Sequence, residues 1–196
     1  GQKDIEAGVI RAVGDPVERF NEDALRILRA LRFASRFMFT IETNTAKAIH
    51  ATKHKLSLIA RERIGDEIRK ASTYGDIQFY HFVTQLIEFG LTDIVEPCKC
   101  VDWKRAKLML SRYVNEKEEH YLYAFPRQEY ADLMLALTIA HSPNVPAVMK
   151  EFRYDNKLFG LMKFIKEYQN IGWSHFFTYD EVYRLTKASR SEHFRN

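Results

Sequence analysis

The periodicity of the apolar residues constrains the fold of this chain more than any other feature, because it is helical along almost all of the 196 residues. Prolines and glycines separate the periodic segments. The predicted helices span residues 22–34, 43–54, 60–71, 76–89, 101–114, 127–141, 145–152, 156–168 and 178–188. A single segment, residues 37–41, has the alternation of a strand. The sequence therefore predicts an all-α fold.

The excess of basic over acidic residues indicates what kind of binding partner the chain favours. The chain has 30 Lys and Arg residues against 26 Asp and Glu, and its net charge of +4 and pI near 9.0 favour an anionic partner. No apolar run is long enough to span a membrane and no signal-peptide pattern opens the chain, so we expect a cytoplasmic protein. Cys98 and Cys100 are too close together for a disulfide framework, and no paired histidines accompany them. We therefore expect no metal site in this chain.

An acid and three arginines recur at three-residue steps in the first of these helices. They are Asp23, Arg26, Arg29 and Arg32. Asn21 is expected to cap this helix and to leave Asp23 in its first turn, where the helix dipole favours negative charge. Each step turns the helix by about 300°, so the polar residues drift slowly around it while leucines and alanines form an apolar stripe. The spacing predicts a polar face that could contact a flat, anionic ligand.

Asp23 and Arg26 together match one kind of nucleobase edge. A carboxylate only accepts hydrogen bonds and a guanidinium only donates them, so the pair fits an amino group beside a ring-nitrogen acceptor, as in adenine and cytosine. Guanine and uracil present the opposite pattern and would leave both side chains without partners. Arg29 and Arg32 could then contact phosphates or stack on the base. The same spacing also fits an ordinary helix with a solvated or salt-bridged arginine face.

The residues around this helix carry a family resemblance. Residues 8–33, GVIRAVGDPVERFNEDALRILRALRF, closely resemble the junction of head and neck in bacterial-type (class II) tRNA nucleotidyltransferases, the CCA-adding enzymes, which have poly(A) polymerase relatives. Segments at residues 39–41, 45–49 and 61–70 resemble the rest of the neck, and residues 152–157 resemble part of the body. The resemblance implies that the chain folds as helical neck and body domains.

The resemblance also implies a domain organisation in which the catalytic part is missing. Residues 1–10 would end a head domain, residues 11–75 would form the nucleotide-selecting, RNA-binding neck, and residues 76–196 would form the helical body and the start of the tail. The family holds Mg²⁺ in the head with an Asp-x-Asp pair, and no Asp-x-Asp occurs in this chain. We therefore expect no catalytic residue in this chain and no activity from it alone.

By the same resemblance, the complete enzyme adds C and A to the 3′ ends of tRNA from CTP and ATP. Asp23 and Arg26 would select the base of the incoming nucleotide, because they match the two residues that do so in the family. Arg29 and Arg32 would help to bind the nucleotide. The later helices would support the tRNA acceptor arm.

Several alternatives remain open. A poly(A) polymerase shares the plan of head and neck, a CC-only or A-only adding enzyme would share this neck, and a free-standing helical RNA-binding module would need no head. A basic cluster between Lys99 and Lys117, interleaved with Trp103 and Tyr113, would either track a tRNA backbone or form a solvated helix face. The sequence leaves these alternatives and the oligomeric state open.

Overall fold

The computed structural model describes residues 1–95, 101–116, 127–140, 142 and 144–169. This part of the chain is helical apart from two short strands, β1 (Val9–Ile10) and β2 (Thr40–Ile41), which confirms the all-α expectation. The helices are α1 (Gln2–Glu6), α2 (Pro16–Glu22), α3 (Leu25–Phe37), α4 (Thr43–Thr52), α5 (Arg61–Ser72), α6 (Asp76–Glu88), α7 (Thr92–Val95), α8 (Trp103–Glu116), α9 (Arg127–Ile139), α10 (Val145–Phe152) and α11 (Asn156–Gln169). The predicted helix at residues 178–188 and the two cysteines lie outside the described residues.

The other predicted helices agree with the observed ones to within a few residues. The helix expected at 43–54 ends at Thr52, and a 3-10 helix (Lys53–Leu58) follows it. The helix expected from residue 101 begins at Trp103. No helix in the described ranges is long and apolar enough to cross a bilayer.

The two strands join the start of the chain to the segment that follows α3. They run parallel, with Val9 opposite Thr40. A parallel pair needs a crossover connection, and α2 and α3 supply it. The strand expected at 37–41 is shorter than predicted because α3 continues to Phe37, and Met38 then ends the helix in a left-handed conformation with φ 56°.

The expected start of the arginine-bearing helix is wrong. Asn21 caps no helix but lies inside α2, which begins after Asp15. The Asp15 carboxylate accepts a hydrogen bond from the Glu18 amide at 2.9 Å, and a proline follows it, so this start is stronger than the one at Asn21. Asp23 then leaves the helical conformation (φ −150°, ψ 101°), and α3 starts at Leu25. Asp23 and the three arginines therefore do not share one helix.

The buried face of α3 packs against α5 and α6. Ile27, Leu28 and Leu31 of α3 have no exposed surface, and neither does Ile64 of α5. Burying each such side chain contributes about 1.5–3 kcal/mol, so this contact fixes how α3 is rotated about its axis. The rotation of α3 in turn decides which of its arginines face solvent.

Helix α5 connects the first half of the chain to α9, to α10 and to residues that link α10 to α11. The hydroxyl of Tyr154 donates a hydrogen bond to the carbonyl oxygen of Gly65 at 2.9 Å. Arg69 pairs with Asp155 at 2.9 Å and with Asp132 at 3.3 Å. Burial raises the pKa of Asp155, but hydrogen bonds from a backbone amide and from Arg69 outweigh it and hold that pKa below its usual value. Contacts of α5 thus cross the predicted boundary between neck and body, and that boundary stays a prediction.

Replacing Gly65 with alanine should destabilise the protein. A Cβ atom at this position would lie 2.7 Å from Cβ of Phe152, so α5 and α10 would have to move apart. Overpacking costs about 1–3 kcal/mol, which exceeds the gain of up to about 1 kcal/mol from alanine over glycine in a helix. The measurement is the free energy of unfolding in urea, with Asp66→Ala, an exposed neighbour on the same helix, as control. A Gly65→Ala variant more stable than the control would contradict the close packing of α5 on α10.

Candidate functional site

A groove of about 340 Å³ lies between β1 with its following loop and the helices α2 and α3. Phe20 and Phe33 contribute apolar surface to it. Its lining also includes four arginines, Arg11, Arg19, Arg26 and Arg29. A groove that combines aromatic surface with several guanidinium groups suits a ligand with a flat ring and more than one negative charge.

Two of these arginines share one carboxylate, that of Glu22. Nη1 of Arg26 donates to Oε2 of Glu22 at 2.6 Å, and Nη1 of Arg19 donates to the same oxygen at 2.9 Å. The hydrogen bond from Arg26, reinforced by Arg19, holds the pKa of Glu22 below its usual value. We assigned Glu22 no binding role from the sequence, although its spacing of three and four residues from the two arginines is the spacing of helical ion pairs. These pairs are exposed, so a ligand can exchange with them at little cost.

Arg29 differs from the other arginines of the groove. It is exposed and forms no hydrogen bond or ion pair with any residue that the structure describes. Arg11, by contrast, is held by Asp4 at 2.9 Å and Glu42 at 3.3 Å. Arg29 is therefore the groove arginine whose charge is most available to an incoming anion.

Asp23 lies where α2 meets α3, and its carboxylate is held from two sides. Oδ1 accepts a hydrogen bond from the Leu25 amide at 3.1 Å, and Oδ2 accepts one from Nη2 of Arg63 on α5 at 3.2 Å. Each carboxylate oxygen has two lone pairs, so each keeps one acceptor position for a ligand. Asp23 and Arg26 have separate partners rather than one another. Sequence reasoning gave Arg63 no role, because only the packing of α5 on α3 brings it to a residue 40 positions earlier.

Arg32 does not join the other arginines. It is buried, its Nε donates to Oε2 of Glu67 at 2.7 Å, and its Nη1 donates to the hydroxyl of Tyr74. Its guanidinium carbon lies 4.5 Å from the ring centroid of Phe33. The cause is helical drift, since the six residues from Arg26 to Arg32 turn the helix about 120° short of two full turns. The structure gives Arg32 a buried partner, Glu67, which ties α3 to α5. A contact of Arg32 with a nucleotide stays a prediction.

The basic cluster of α8 is described only in part. Lys104 and Arg105 are exposed, whereas Trp103 is buried in the core and offers no ring to RNA. Lys99 and Lys117 lie outside the described residues, and so do the side chains of Arg112 and Tyr113. The described part of the cluster is therefore a charged helix face without the predicted tryptophan.

The described residues do not offer a metal site. Within these ranges, no three histidine, cysteine, aspartate or glutamate residues are grouped so that they could hold a metal ion. The residues present therefore do not fit a bound Mg²⁺ ion, and no chemical step through a metal follows from them.

Known proteins resemble this chain in sequence. A family model described as the probable RNA and SrmB-binding site of polymerase A matches residues 38–98. The chain is 55% identical over 64 residues to the CCA-adding enzyme of Ligilactobacillus salivarius, and 54% identical over 70 residues to that of Pediococcus pentosaceus. In these segments the chain is therefore similar to CCA-adding enzymes and to poly(A) polymerases. These two matches cover 33% and 36% of this chain, and only 16% and 18% of the relatives.

Solved structures extend the likeness, at the level of the fold, to almost all of this chain. An apo form of a tRNA-processing enzyme superposes with a TM-score of 0.69 at 25% identity, over 96% of this chain and 55% of that one. A tRNA nucleotidyltransferase in complex with a primer tRNA and an incoming ATP analog gives a TM-score of 0.61 at 23% identity, over 96% of this chain and 56% of that one. At such identities the likeness concerns the fold. The chain spans about half the length of these structures.

Removing Arg32 should cost far more stability than removing Arg29. Arg32→Ala leaves the Glu67 carboxylate buried without its guanidinium partner, which costs about 3–5 kcal/mol, although Lys70 still reaches Glu67 at 3.1 Å. Arg29→Ala removes an exposed side chain and should change stability by no more than about 0.5 kcal/mol. Urea denaturation of the two variants makes the comparison. Equal stabilities would show that the buried pair does not hold α3 on α5.

Proposed function

We propose that this chain is the nucleotide-selecting and tRNA-binding portion of a cytoplasmic CCA-adding tRNA nucleotidyltransferase, which adds C and A to tRNA 3′ ends from CTP and ATP. The observation that carries the proposal is the groove that Arg19, Arg26 and Arg29 line, together with the partly exposed carboxylate of Asp23, which lies between α2 and α3 but does not itself line the groove. The names of the curated relatives support it. So does the fold that the chain shares with structures solved with CTP (TM-score 0.63, 23% identity) and with a primer tRNA and an ATP analog.

In this proposal Asp23 and Arg26 select the base. Asp23 presents acceptors and Arg26 presents donors, the combination that cytosine and adenine satisfy and that guanine and uracil do not. Arg63 helps because its hydrogen bond restricts the orientation of the Asp23 carboxylate. A fixed pair of side chains discriminates better than a mobile one, since its polar groups cannot turn to suit the wrong base.

The phosphates of the nucleotide are proposed to meet the groove arginines. Arg29 is available without breaking any contact with a described residue, so it is the first partner for a phosphate oxygen. Arg19 and Arg26 must exchange Glu22 for the nucleotide, and both pairs are exposed to solvent. Arg32 acts indirectly. Its buried pair with Glu67 holds α3 in the orientation that places Arg26 and Arg29 in the groove.

The chemistry of transfer is proposed to lie outside the described residues. Residues 1–10 would end a head domain that binds Mg²⁺, residues 11–75 would form the neck, and residues 76–196 would form the body and the start of the tail. Phosphoryl transfer to a 3′ hydroxyl depends on metal ions held by carboxylates, which the described residues do not provide. The tRNA acceptor arm would be supported by the helices after α5.

A poly(A) polymerase is the second candidate, because the matching family model is described from polymerase A. The curated relatives favour the CCA-adding enzyme. Incubating the full-length protein with tRNA and ATP alone separates the two, since a poly(A) polymerase extends the RNA by a long homopolymer and a CCA-adding enzyme stops.

Asp23→Ala in the full-length protein should relax nucleotide selection. Without the Asp23 carboxylate as hydrogen-bond acceptor, CTP and ATP are no longer preferred over UTP and GTP. The ratio of kcat/KM for CTP to that for UTP should therefore fall at least about tenfold. Arg63→Ala should lower the same ratio by a smaller factor, and Arg63→Lys should restore part of it. Glu18→Ala, an exposed acid on α2, is the matched control. Unchanged discrimination against UTP and GTP in Asp23→Ala would contradict the proposed role.

The 196-residue chain alone should not add nucleotides, even with magnesium present. The reason is that its described residues supply arginines for binding but no carboxylate group for a metal. The measurement is incorporation of labelled CTP or ATP into tRNA that lacks its CCA end, with the full-length protein as positive control. Detectable incorporation by the purified chain would overturn the claim.

A further inference from the structure

A partly exposed cluster of aromatic rings and one arginine lies around the end of α3. We call it the aromatic ridge, and its members are Phe33, Arg36, Phe37, Phe39 and Tyr74. The rings of Phe33 and Phe37 are nearly parallel, with centroids 6.3 Å apart and 10° between their planes, and Phe39 lies 5.7 Å from Phe37. The guanidinium carbon of Arg36 lies 5.2 Å from the centroid of Phe37 and 5.1 Å from that of Tyr74. The ridge is a continuous row of π-faces with a cation within it.

The ridge is most exposed at Arg36 and Phe37, whereas Phe33, Phe39 and Tyr74 are partly buried. Phe37 keeps 50% of its surface exposed and the adjacent Met38 keeps 48%, although α3 has a fully buried face available for apolar residues. Arg36 is exposed too, and it has no carboxylate partner among the described residues. Phe37 leaves half of its surface to solvent, and among the described residues Arg36 contacts rings rather than a carboxylate, so both remain available to a partner.

The ridge is also continuous with the nucleotide groove. Phe33 lines the groove and stacks on Phe37, so the ridge starts where the groove ends. One element, α3, carries Arg26 and Arg29 into the groove and Arg36 and Phe37 onto the ridge. A ligand that follows the helix axis away from the groove meets the ridge next.

We propose that the aromatic ridge is a stacking platform for unpaired nucleotides of the RNA substrate, an inference that rests on the proposed function. Unpaired bases expose both faces to aromatic rings, and each stacked base contributes without regard to its identity. Arg36 stacks beside the rings and pairs with the phosphates between the bases. An apolar protein partner fits less well, because it would cover Arg36 without supplying a negative charge.

Phe37→Leu in the full-length protein tests this platform, because leucine keeps an apolar side chain but has no π-face. The probe is an RNA acceptor-stem hairpin, either with three unpaired nucleotides at its 3′ end or blunt. Phe37→Leu should weaken binding of the overhang hairpin at least about fivefold and leave the blunt hairpin unchanged, whereas Phe37→Tyr should bind both like the wild type. Arg36→Ala should weaken binding and reduce its salt dependence. Leu58→Ala, an apolar side chain that is 83% exposed elsewhere, is the matched control.

The outcomes separate the ridge from the groove. Equal binding of the overhang hairpin by Phe37→Leu and the wild type would overturn the inference and leave the ridge as an apolar contact for a protein. Equal weakening of both hairpins would overturn it as well, since stacking on unpaired bases would not be the cause. CTP binding is measured in parallel to separate the two proposals. If one of these results is obtained while the wild type binds CTP, only the ridge proposal fails. If the wild type binds neither CTP nor the overhang hairpin, the proposed function fails with it. Thermal unfolding of each variant verifies that the fold is intact.

Discussion

The buried pair between Arg32 and Glu67 is the interaction on which the candidate site depends. A buried ion pair is costly to desolvate, and it is tolerated here because each member has a second partner, the Tyr74 hydroxyl for Arg32 and Lys70 for Glu67. The pair ties α3 to α5 near the middle of both helices. With this rotation fixed, α3 presents Arg26 and Arg29 to the groove on one side and Phe37 to solvent at its end.

Much of this arrangement follows from local sequence. Helical periodicity was enough to predict the all-α fold, and the three-residue spacing was enough to place Arg26 and Arg29 together. The start of the arginine-bearing helix was mispredicted because two possible N-caps lie within eight residues. Asp15, which a proline follows, caps α2, and Asn21 lies inside that helix. Asp23 consequently ends one helix and supports the next, a role that periodicity alone does not distinguish from a place in the first turn.

The rest of the site depends on contacts between distant residues. The drift of a three-residue row is visible in the sequence, but the side on which α5 packs decides that Arg32 is covered while Arg29 is not. Arg63 reaches Asp23 for the same reason. The strong aromatic content was equally visible, yet only the folded chain shows that Phe37 stays exposed while Trp103 is covered. Burial depends on how the helices pack, so side chains of the same type can be buried at one position and exposed at another.

The carboxylate of Glu22 gives the groove a preference for polyvalent anions. While it holds Arg19 and Arg26 together, these three side chains carry a combined charge of only +1, and Arg29 adds one further positive charge to the groove. A nucleoside triphosphate can replace Glu22 at Arg19 with a phosphate oxygen and at Arg26 with the base, and a further phosphate oxygen can pair with Arg29. A monovalent anion can pair with Arg29 alone, whereas a ligand with several charges can engage Arg19 and Arg29 together, so the charges of the groove favour the larger ligand.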